Sequence, residues 1–310
     1  MCGHCGCGSE ADATVLNLET GKKTTMGRDP HEGAEQHEHV HPDGTRHSHP
    51  HEHGHDHQDE HDRENLHPGH ARADETSHTH AHGGTHSGEV VALETRILAK
   101  NDALAQKNRA WFKGREILAL NLVSSPGAGK TSLLERTIRD LGHELRLFVI
   151  EGDQATAYDG ERIRAAGAPA VQVNTGAGCH LEADMVARGL KELRPSAGSV
   201  VMIENVGNLV CPALFDLGEG AKVVILSVAE GDDKPLKYPH MFRAADLMIL
   251  NKIDLLPHVD FDVSRAIANA AQVNPAITAL QLSARTGEGL ADWYAWLRRE
   301  AAAVGDAVFS

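Results

Sequence analysis

The sequence predicts an α/β fold, a mostly parallel sheet with helices on both faces, preceded by a disordered His-rich N-terminal region. Three observations predict it. Apolar strand-like runs alternate with helical segments from residue 116 onward. Several of these runs are apolar throughout, as in Val223-Val224-Ile225-Leu226, which suits strands covered on both faces. The first run passes into Ser124-Ser125-Pro126-Gly127-Ala128-Gly129-Lys130-Thr131, and a helix-like segment follows. That arrangement is a phosphate-binding loop between strand and helix, as in P-loop NTPases.

Taken in order, residues 1–8 read Met-Cys-Gly-His-Cys-Gly-Cys-Gly. Cys2, Cys5 and Cys7 lie in a glycine-rich stretch able to wrap one ion, and thiolates are strong ligands for Ni(II), Zn(II) or Cu(I). The α-amino group or His4 would supply a fourth ligand. A Cys-x-x-Cys pair is also a redox motif, but the added Cys7 favours metal. Residues 9–30 are polar and carry no pattern.

Residues 31–86 hold 17 of the 22 histidines, with 12 acidic residues against three arginines. Large apolar side chains are too few to offset chain entropy, so disorder is expected. His49, His51, His53, His55 and His57 place an imidazole at every second position. Such density binds divalent metals at modest affinity, as a buffer or store. Irregular spacing and interleaved acids argue against an expression tag. The chain thus divides into a Cys-rich motif at 1–8, a linker at 9–88 containing the His tract, and a nucleotide domain at 89–310.

From 89 to 112 the pattern turns helical. Val90, Ile97, Leu104 and Trp111 recur every seven residues, Leu93 and Leu98 lie beside them, and Gly114 suits a C-cap. Packing against the nucleotide domain is the expected role. Strands are then expected at 116–123, 146–151, 169–173, 199–204, 222–228, 245–250 and 278–283. Helices are expected at 130–141, 160–166, 181–193, 262–272 and 289–302. Ligands in such a sheet bind beyond the C-terminal ends of the strands.

Net charge is −14, of which the His tract supplies −9, so the remainder is only mildly acidic. No basic stripe argues for nucleic acid. No basic start leads into an apolar core, and no apolar run approaches the ~18 residues of a membrane span. The five cysteines, an odd number in a nucleotide-binding chain, point to reduced thiols, a cytoplasmic location and metal ligation.

The motifs place chemistry on this scaffold. Gly127, Ala128 and Gly129 leave backbone N–H groups open to phosphate, and Ser132 follows in the first helical turn. Lys130 should reach the β- and γ-phosphates, and the Thr131 hydroxyl should ligate Mg²⁺. The usual first glycine is here Ser124, which can make the turn with negative φ. The second strand ends in Glu151-Gly152-Asp153, where Asp153 can hold Mg²⁺ or orient water, or serve as a turn residue. Glu204, after an apolar strand, sits where a Walker B carboxylate sits, acting on Mg²⁺ through water or on the attacking water. Gly207 would let the backbone approach the γ-phosphate. Asn251-Lys252-Ile253-Asp254 closes a late strand. The Asp254 carboxylate can accept from both the ring N–H and the exocyclic amine of guanine, which adenine cannot offer. Asn251 would fix the loop, the Lys252 stem would cover the ring plane, and Ser283-Ala284 would support the base from the other side. Together they select GTP. Cys179, His180 and Cys211 each follow a strand end. They admit two readings, a second metal site shared across a two-fold dimer, or two buried thiols and a surface histidine.

SPGAGKTSLLE, EGDQAT, TGAGCHL, ENVGNLVCP and NKIDLLP, together with the Cys-x-x-Cys-Gly-Cys start and the His tract, resemble the hydrogenase nickel incorporation GTPases of the HypB family. The likeness covers residues 89–310, 1–8 and the His tract. It implies a GTPase of the class containing the signal-recognition-particle GTPases, MinD and BioD. It also implies a GTP-dependent homodimer and nickel delivery to the [NiFe]-hydrogenase large subunit alongside a HypA-type partner. By that resemblance Cys2, Cys5 and Cys7 form a tight nickel site. Cys179, His180 and Cys211 form a nickel or zinc site at the dimer interface. The additional lysine that this class often carries early in the loop is absent from Ser124-Ser125-Pro126. With no arginine finger in evidence, slow hydrolysis is expected. Two other functions compete: a nickel store with an auxiliary GTPase, and the related urease-maturation GTPase. The Cys-rich start and Gly-Cys-His-Leu argue against the latter.

Overall fold

The computed structural model describes residues 13–25, 37–40, 46–49, 86–153, 158–176 and 178–306. The chain divides into two compact units, 1–26 with 90–310, and 27–89.

The larger unit is built on one nine-stranded sheet. Its strands are β1 (Thr14–Asn17), β2 (Lys23–Thr25), β5 (Leu118–Ser124), β6 (Leu147–Asp153), β7 (Ala170–Asn174), β8 (Val200–Glu204), β9 (Ala221–Ser227), β10 (Leu247–Asn251) and β11 (Thr278–Gln281). Their order is β11-β10-β9-β5-β8-β6-β7-β1-β2. From β11 to β7 every pairing is parallel. The central strand, β5, is buried along its whole length, as a sheet covered on both faces requires.

Period-two alternation splits β5 between two cores. Leu118, Leu120 and Leu122 face α2 (Lys130–Leu141) and α9 (Leu290–Asp306), packing with Leu133, Leu134, Ile138, Trp293 and Leu297. Ala119 faces the other side with Phe112 of α1 (His86–Lys113) and Val186 and Leu190 of α4 (Ala183–Leu193). A third cluster packs Met241 and Phe242 of α7 (Pro239–Ala244) and Ala266 and Ala270 of α8 (Val263–Val273) against Val224, Leu226, Met248 and Leu250. The helix α3 (Tyr158–Ala166) and the short helices α5 (Cys211–Leu214) and α6 (Lys234–Lys237) complete the layers.

The seven parallel strands match the sequence expectation within two residues at each end. Three corrections follow. Within the stretch 9–30, the described residues 13–25 do carry structure: β1 pairs antiparallel with β7, with Thr14 opposite Asn174 and Asn17 opposite Val171, and β2 pairs with β1. The stretch is short and polar, yet two of its residues, Val15 and Leu18, are buried and anchor it. The second correction concerns α1. The heptad through Ile97 and Leu104 is not its packed face, and Ile97 is exposed. The buried stripe is Asn101, Ala105, Asn108 and Phe112. Its asparagines satisfy backbone groups at the start of α4 and in the loop before β9. Asn101 accepts from Ala183 N at 2.9 Å and donates to Asp216 O at 2.7 Å. Asn108 donates to Ala183 O at 2.8 Å and Leu217 O at 3.0 Å. The heptad reading missed this because it ranked residues by apolarity alone. Third, the short helices α5, α6 and α7 fall where no helix is expected; each has a proline in its first turn.

The smaller unit contains a two-stranded antiparallel ladder, β3 (His37–Val40) and β4 (Arg46–His49), with His37 opposite His49 and His39 opposite His47. Cys2, Cys5, Cys7, His51, His53, His55 and His57 lie outside the described residues.

Candidate nucleotide and metal site

A cavity of about 460 Å³ opens at the C-terminal ends of β5, β6 and β8. Ser124, Pro126, Gly127, Ala128, Gly129, Lys130, Thr131 and Ser132 form one wall. Gly127 and Gly129 hold φ of 74° and 97°, a left-handed backbone open to glycine at little cost. Ser124 is absent from the positive-φ residues, so the missing first glycine is tolerated, and its Oγ donates to Ser125 O at 2.7 Å. The helix α2 starts at Lys130 directly beyond the loop and aims its free N–H groups at the cavity.

Glu204, the last residue of β8, faces this wall. Thr131 Oγ1 donates to Glu204 Oε1 at 2.7 Å, and Lys130 Nζ lies 3.7 Å from the same oxygen. Burial pushes the carboxyl above its usual range, against the pull of Lys130 and Thr131. Its second oxygen, Oε2, is buried with no hydrogen-bond partner. Hydroxyl, carboxylate and an unsatisfied oxygen form a hard donor set that suits Mg²⁺. Asp153 closes β6 opposite Asn174, so its backbone reaches the correct end of the sheet. Gly207 also lines the cavity, and a Cβ there would come within 3.2 Å of Pro126 Cα.

The base-side motif is assembled around the loop. Asn251 Nδ2 donates to Ala128 O at 2.9 Å, and its Oδ1 accepts from Lys252 N at 2.8 Å and Ala284 N at 3.1 Å. Lys252 adopts φ of 64°, unusual for a residue with a side chain, and donates from Nζ to Gly127 O at 2.6 Å. Ser283 Oγ donates to Asp254 Oδ1 at 2.6 Å. The sequence reading missed Asp159 and Arg162, which also line the cavity. Arg162 is tied to Glu135 at 2.9 Å and Asp159 at 2.9 Å. Both sit on α3 with no motif around them to single them out.

Cys179, His180 and Cys211 come together. Cys179 Sγ and Cys211 Sγ are 3.1 Å apart, too far for a disulfide bond, and both cysteines are free. The candidate donor atoms of the three all lie within 4.8 Å of one another. His180 Nδ1 lies 3.7 Å from Cys179 Sγ, and the ring packs on Phe215 at a centroid distance of 3.9 Å. His180 Nε2 is buried without a hydrogen-bond partner, 3.8 Å from Glu182 Oε1. Burial lowers its pKa to about 4, leaving a neutral imidazole with a lone pair at pH 7. Burial also raises the Cys179 thiol to about 11. Two thiols and one neutral imidazole fit a borderline divalent ion with one position left open.

Fold and site together define a P-loop nucleotide-binding protein with a Cys–His–Cys cluster at the same end of its sheet. Residues 118–281 match the family described as CobW/HypB/UreG, nucleotide-binding domain. The chain belongs to that family, within its HypB branch of hydrogenase maturation factors. It is 60% identical to the hydrogenase maturation factor HypB of Rhizobium leguminosarum, over 71% of this chain and 73% of the relative. The crystal structure of the Archaeoglobus fulgidus hydrogenase maturation factor HypB is 40% identical with a TM-score of 0.62, covering 66% of this chain and 99% of that one. The structure of Helicobacter pylori HypB in complex with nickel is 38% identical with a TM-score of 0.61, covering 65% of this chain and 95% of that one.

Proposed function

We propose that this chain is a GTP-hydrolysing nickel metallochaperone that couples the state of its nucleotide to nickel insertion into the [NiFe]-hydrogenase large subunit. The observation that carries the reading is the Cys179–His180–Cys211 trio at the sheet end that holds Thr131 and Glu204. The Helicobacter pylori relative, crystallised with nickel, supports nickel as the cargo.

Lys130 and the loop amides bind the β- and γ-phosphates, and Thr131 with Glu204 would hold Mg²⁺. Mg²⁺ supplies charge neutralisation on the phosphates when bound. Glu204 also orients water, and Asp153 is a second candidate for that role and for Mg²⁺. Asn251, Lys252 and Asp254 select guanine, with Ser283 and Ala284 fixing their loop. Slow hydrolysis is expected, since no arginine finger stands out and Arg162, which lines the cavity, is tied to two carboxylates.

Val210 and Leu214 flank Cys211, and both are exposed large apolar side chains. They support a GTP-dependent homodimer at this face, where nickel or zinc would gain ligands from both copies. Among the described residues no helix is long and apolar enough to cross a membrane. The cytoplasmic location we assign rests on the odd set of five cysteines, read as reduced thiols. A HypA-type chaperone and the hydrogenase precursor are the protein partners. Cys2, Cys5 and Cys7 are the tight nickel site, and the His tract is an auxiliary store.

The test is GTP turnover of the full chain with and without nickel. Nickel should change turnover in the natural protein and lose that effect in both Cys179→Ala and Cys211→Ala. Persistence of the effect in both variants overturns the reading. Hydrogenase maturation by Lys130→Ala would instead favour a storage protein.

A further inference from the structure

Beneath the two sites runs a line of buried polar side chains that the apolar core does not need. It starts at Asn205, directly after Glu204 and 1% exposed. Asn205 Oδ1 accepts from Leu181 N at 3.1 Å and from Val206 N at 3.0 Å. Its Nδ2 donates to Asn121 Oδ1 at 3.2 Å. Asn121 is fully buried in the centre of β5, where every other residue but the terminal Ser124 is apolar. Its Nδ2 donates to Glu219 Oε1 at 3.0 Å. Lys222 Nζ lies 3.5 Å from that oxygen and donates to Pro212 O at 3.0 Å. Glu219 Oε2 is satisfied by Leu217 N at 2.7 Å.

The end points give the line its meaning. Leu181 follows His180, and Pro212 follows Cys211. The His180 segment is therefore bonded directly to the side chain that follows the nucleotide-facing glutamate, and the Cys211 segment is reached from it through Asn121, Glu219 and Lys222. A buried Lys–Glu pair is a poor stabiliser next to apolar residues of similar volume, while removal of one partner is costly. A fully satisfied buried network fixes one arrangement of the segments it joins.

We propose that Asn205 is the positioning residue that transmits nucleotide state to the metal trio. It acts on His180 through Leu181, and on Cys211 through Asn121, Glu219, Lys222 and Pro212. The inference rests on the coupling proposed above and names its wiring. A shift of Glu204 with the γ-phosphate displaces Asn205, and both ligand segments move with it. Linkage makes the effect reciprocal: nucleotide changes nickel affinity by the factor by which nickel changes nucleotide affinity.

In a full-length background with Cys2, Cys5 and Cys7 replaced by Ala, so that the trio outbinds the low-affinity His tract, nickel affinity is measured by competition with a chromophoric chelator, once with GDP and once with a non-hydrolysable GTP analogue, the unaltered network serving as the natural protein. The natural protein should show two affinities differing by about 5- to 150-fold. Glu219→Gln combined with Lys222→Met keeps the Asn121 contact, introduces no buried charge and cuts the arm to Cys211. It should bind nickel and nucleotide singly as before, with the two nickel affinities drawn together. Asn205→Ala should equalise them, and Lys222→Arg alone, which keeps a donor to Pro212 O, should retain the difference. The unchanged difference in the folded double variant and in Asn205→Ala overturns the wiring. Equal affinities in the natural protein overturn the coupling itself. If Asn205→Ala does not fold, the double variant decides alone. Loss of stability with both affinities reduced in parallel marks a merely structural network and also overturns the proposal.

Discussion

Thr131 and Glu204 hold each other across the mouth of the cavity: the hydroxyl donates to the carboxylate at 2.7 Å, and Lys130 approaches the same oxygen at 3.7 Å. A buried carboxylate with one oxygen satisfied and the other bare sits poorly in the nucleotide-free protein. Such a group is suited to chemistry at the expense of stability.

Glu204→Gln separates those effects. Burial raises the carboxyl above 4.5, so the folded chain holds the proton to higher pH than the unfolded chain. Stability from this group is therefore fullest below pH 4.5 and declines as pH rises toward the raised value. Glutamine cannot ionise and removes that decline. The nucleotide-free variant should melt no lower than the natural protein at pH 7, with a flatter profile from pH 5 to 7. GTP turnover should fall by about 100-fold. Thermal melts across that range and single-turnover kinetics check both halves, and undiminished turnover would remove Glu204 from the mechanism.

Asp254→Asn tests base selection. Asparagine offers N–H groups where guanine also offers donors, so GTP affinity should fall by about 10- to 100-fold. Xanthosine triphosphate, which presents an acceptor there, should gain. Ser283→Ala leaves the Asp254 carboxylate in place, deleting its 2.6 Å hydrogen bond from Ser283 and the 3.1 Å one that Ser283 accepts from Thr286 N, and should cost less. Fluorescent-nucleotide competition ranks the three, and equal affinities throughout would mean that Asp254 does not touch the base.

Gly129→Ala tests the loop backbone. Its φ of 97° lies where side chains are strained, and a Cβ would run into the Asn251 amide that braces Ala128. Left-handed strain alone costs about 1–2 kcal/mol, and the displaced brace adds to it. Nucleotide binding should be lost before the fold is. Circular dichroism with a nucleotide filter assay reads that out, and normal binding would contradict it.

The pH dependence of nickel binding follows from the trio. His180, with a pKa of about 4, stays neutral above pH 5 and does not compete for its own lone pair. Cys179, raised to about 11, must shed its proton to ligate. Nickel affinity should rise steadily between pH 6 and 9, with proton release measurable by calorimetry in buffers of different ionisation enthalpy. For stability the sign is the usual one for a buried histidine. The contribution of His180 is complete above pH 6.5 and is lost as pH falls toward about 4, because only the unfolded chain takes the proton. His180→Ala should blunt that acid loss. A profile of nickel binding that is flat from pH 6 to 9 would contradict the thiol assignment.

Much of this was legible in the sequence, for physical reasons that differ by element. Continuous apolar runs mark the parallel strands, since burial on both faces leaves no alternation to misread. The loop at Ser124–Thr131 and the motif at Asn251–Asp254 are local in sequence, and local motifs survive without coordinates. Cys179, His180 and Cys211 are 32 residues apart at the extremes, and only the fold brings the thiols within 3.1 Å. The α1 packing stripe was illegible because its asparagines are buried through bonds to backbone groups more than 70 residues away. Asn121 was visible as a polar residue inside β5, but its partners were not.

The β1–β2 hairpin also governs how the molecule meets its neighbours. A sheet ending at β7 would present a bare rim of amide and carbonyl groups, a template for another chain. Thr14–Asn17 occupies that rim, and the outer strand that replaces it is three exposed residues long and begins with Lys23. A lysine on so short a border discourages further pairing. Shortening the chain past residue 25 would therefore leave the nucleotide loop intact while making the protein prone to sheet-to-sheet aggregation, with rising light scatter ahead of any loss of nucleotide binding.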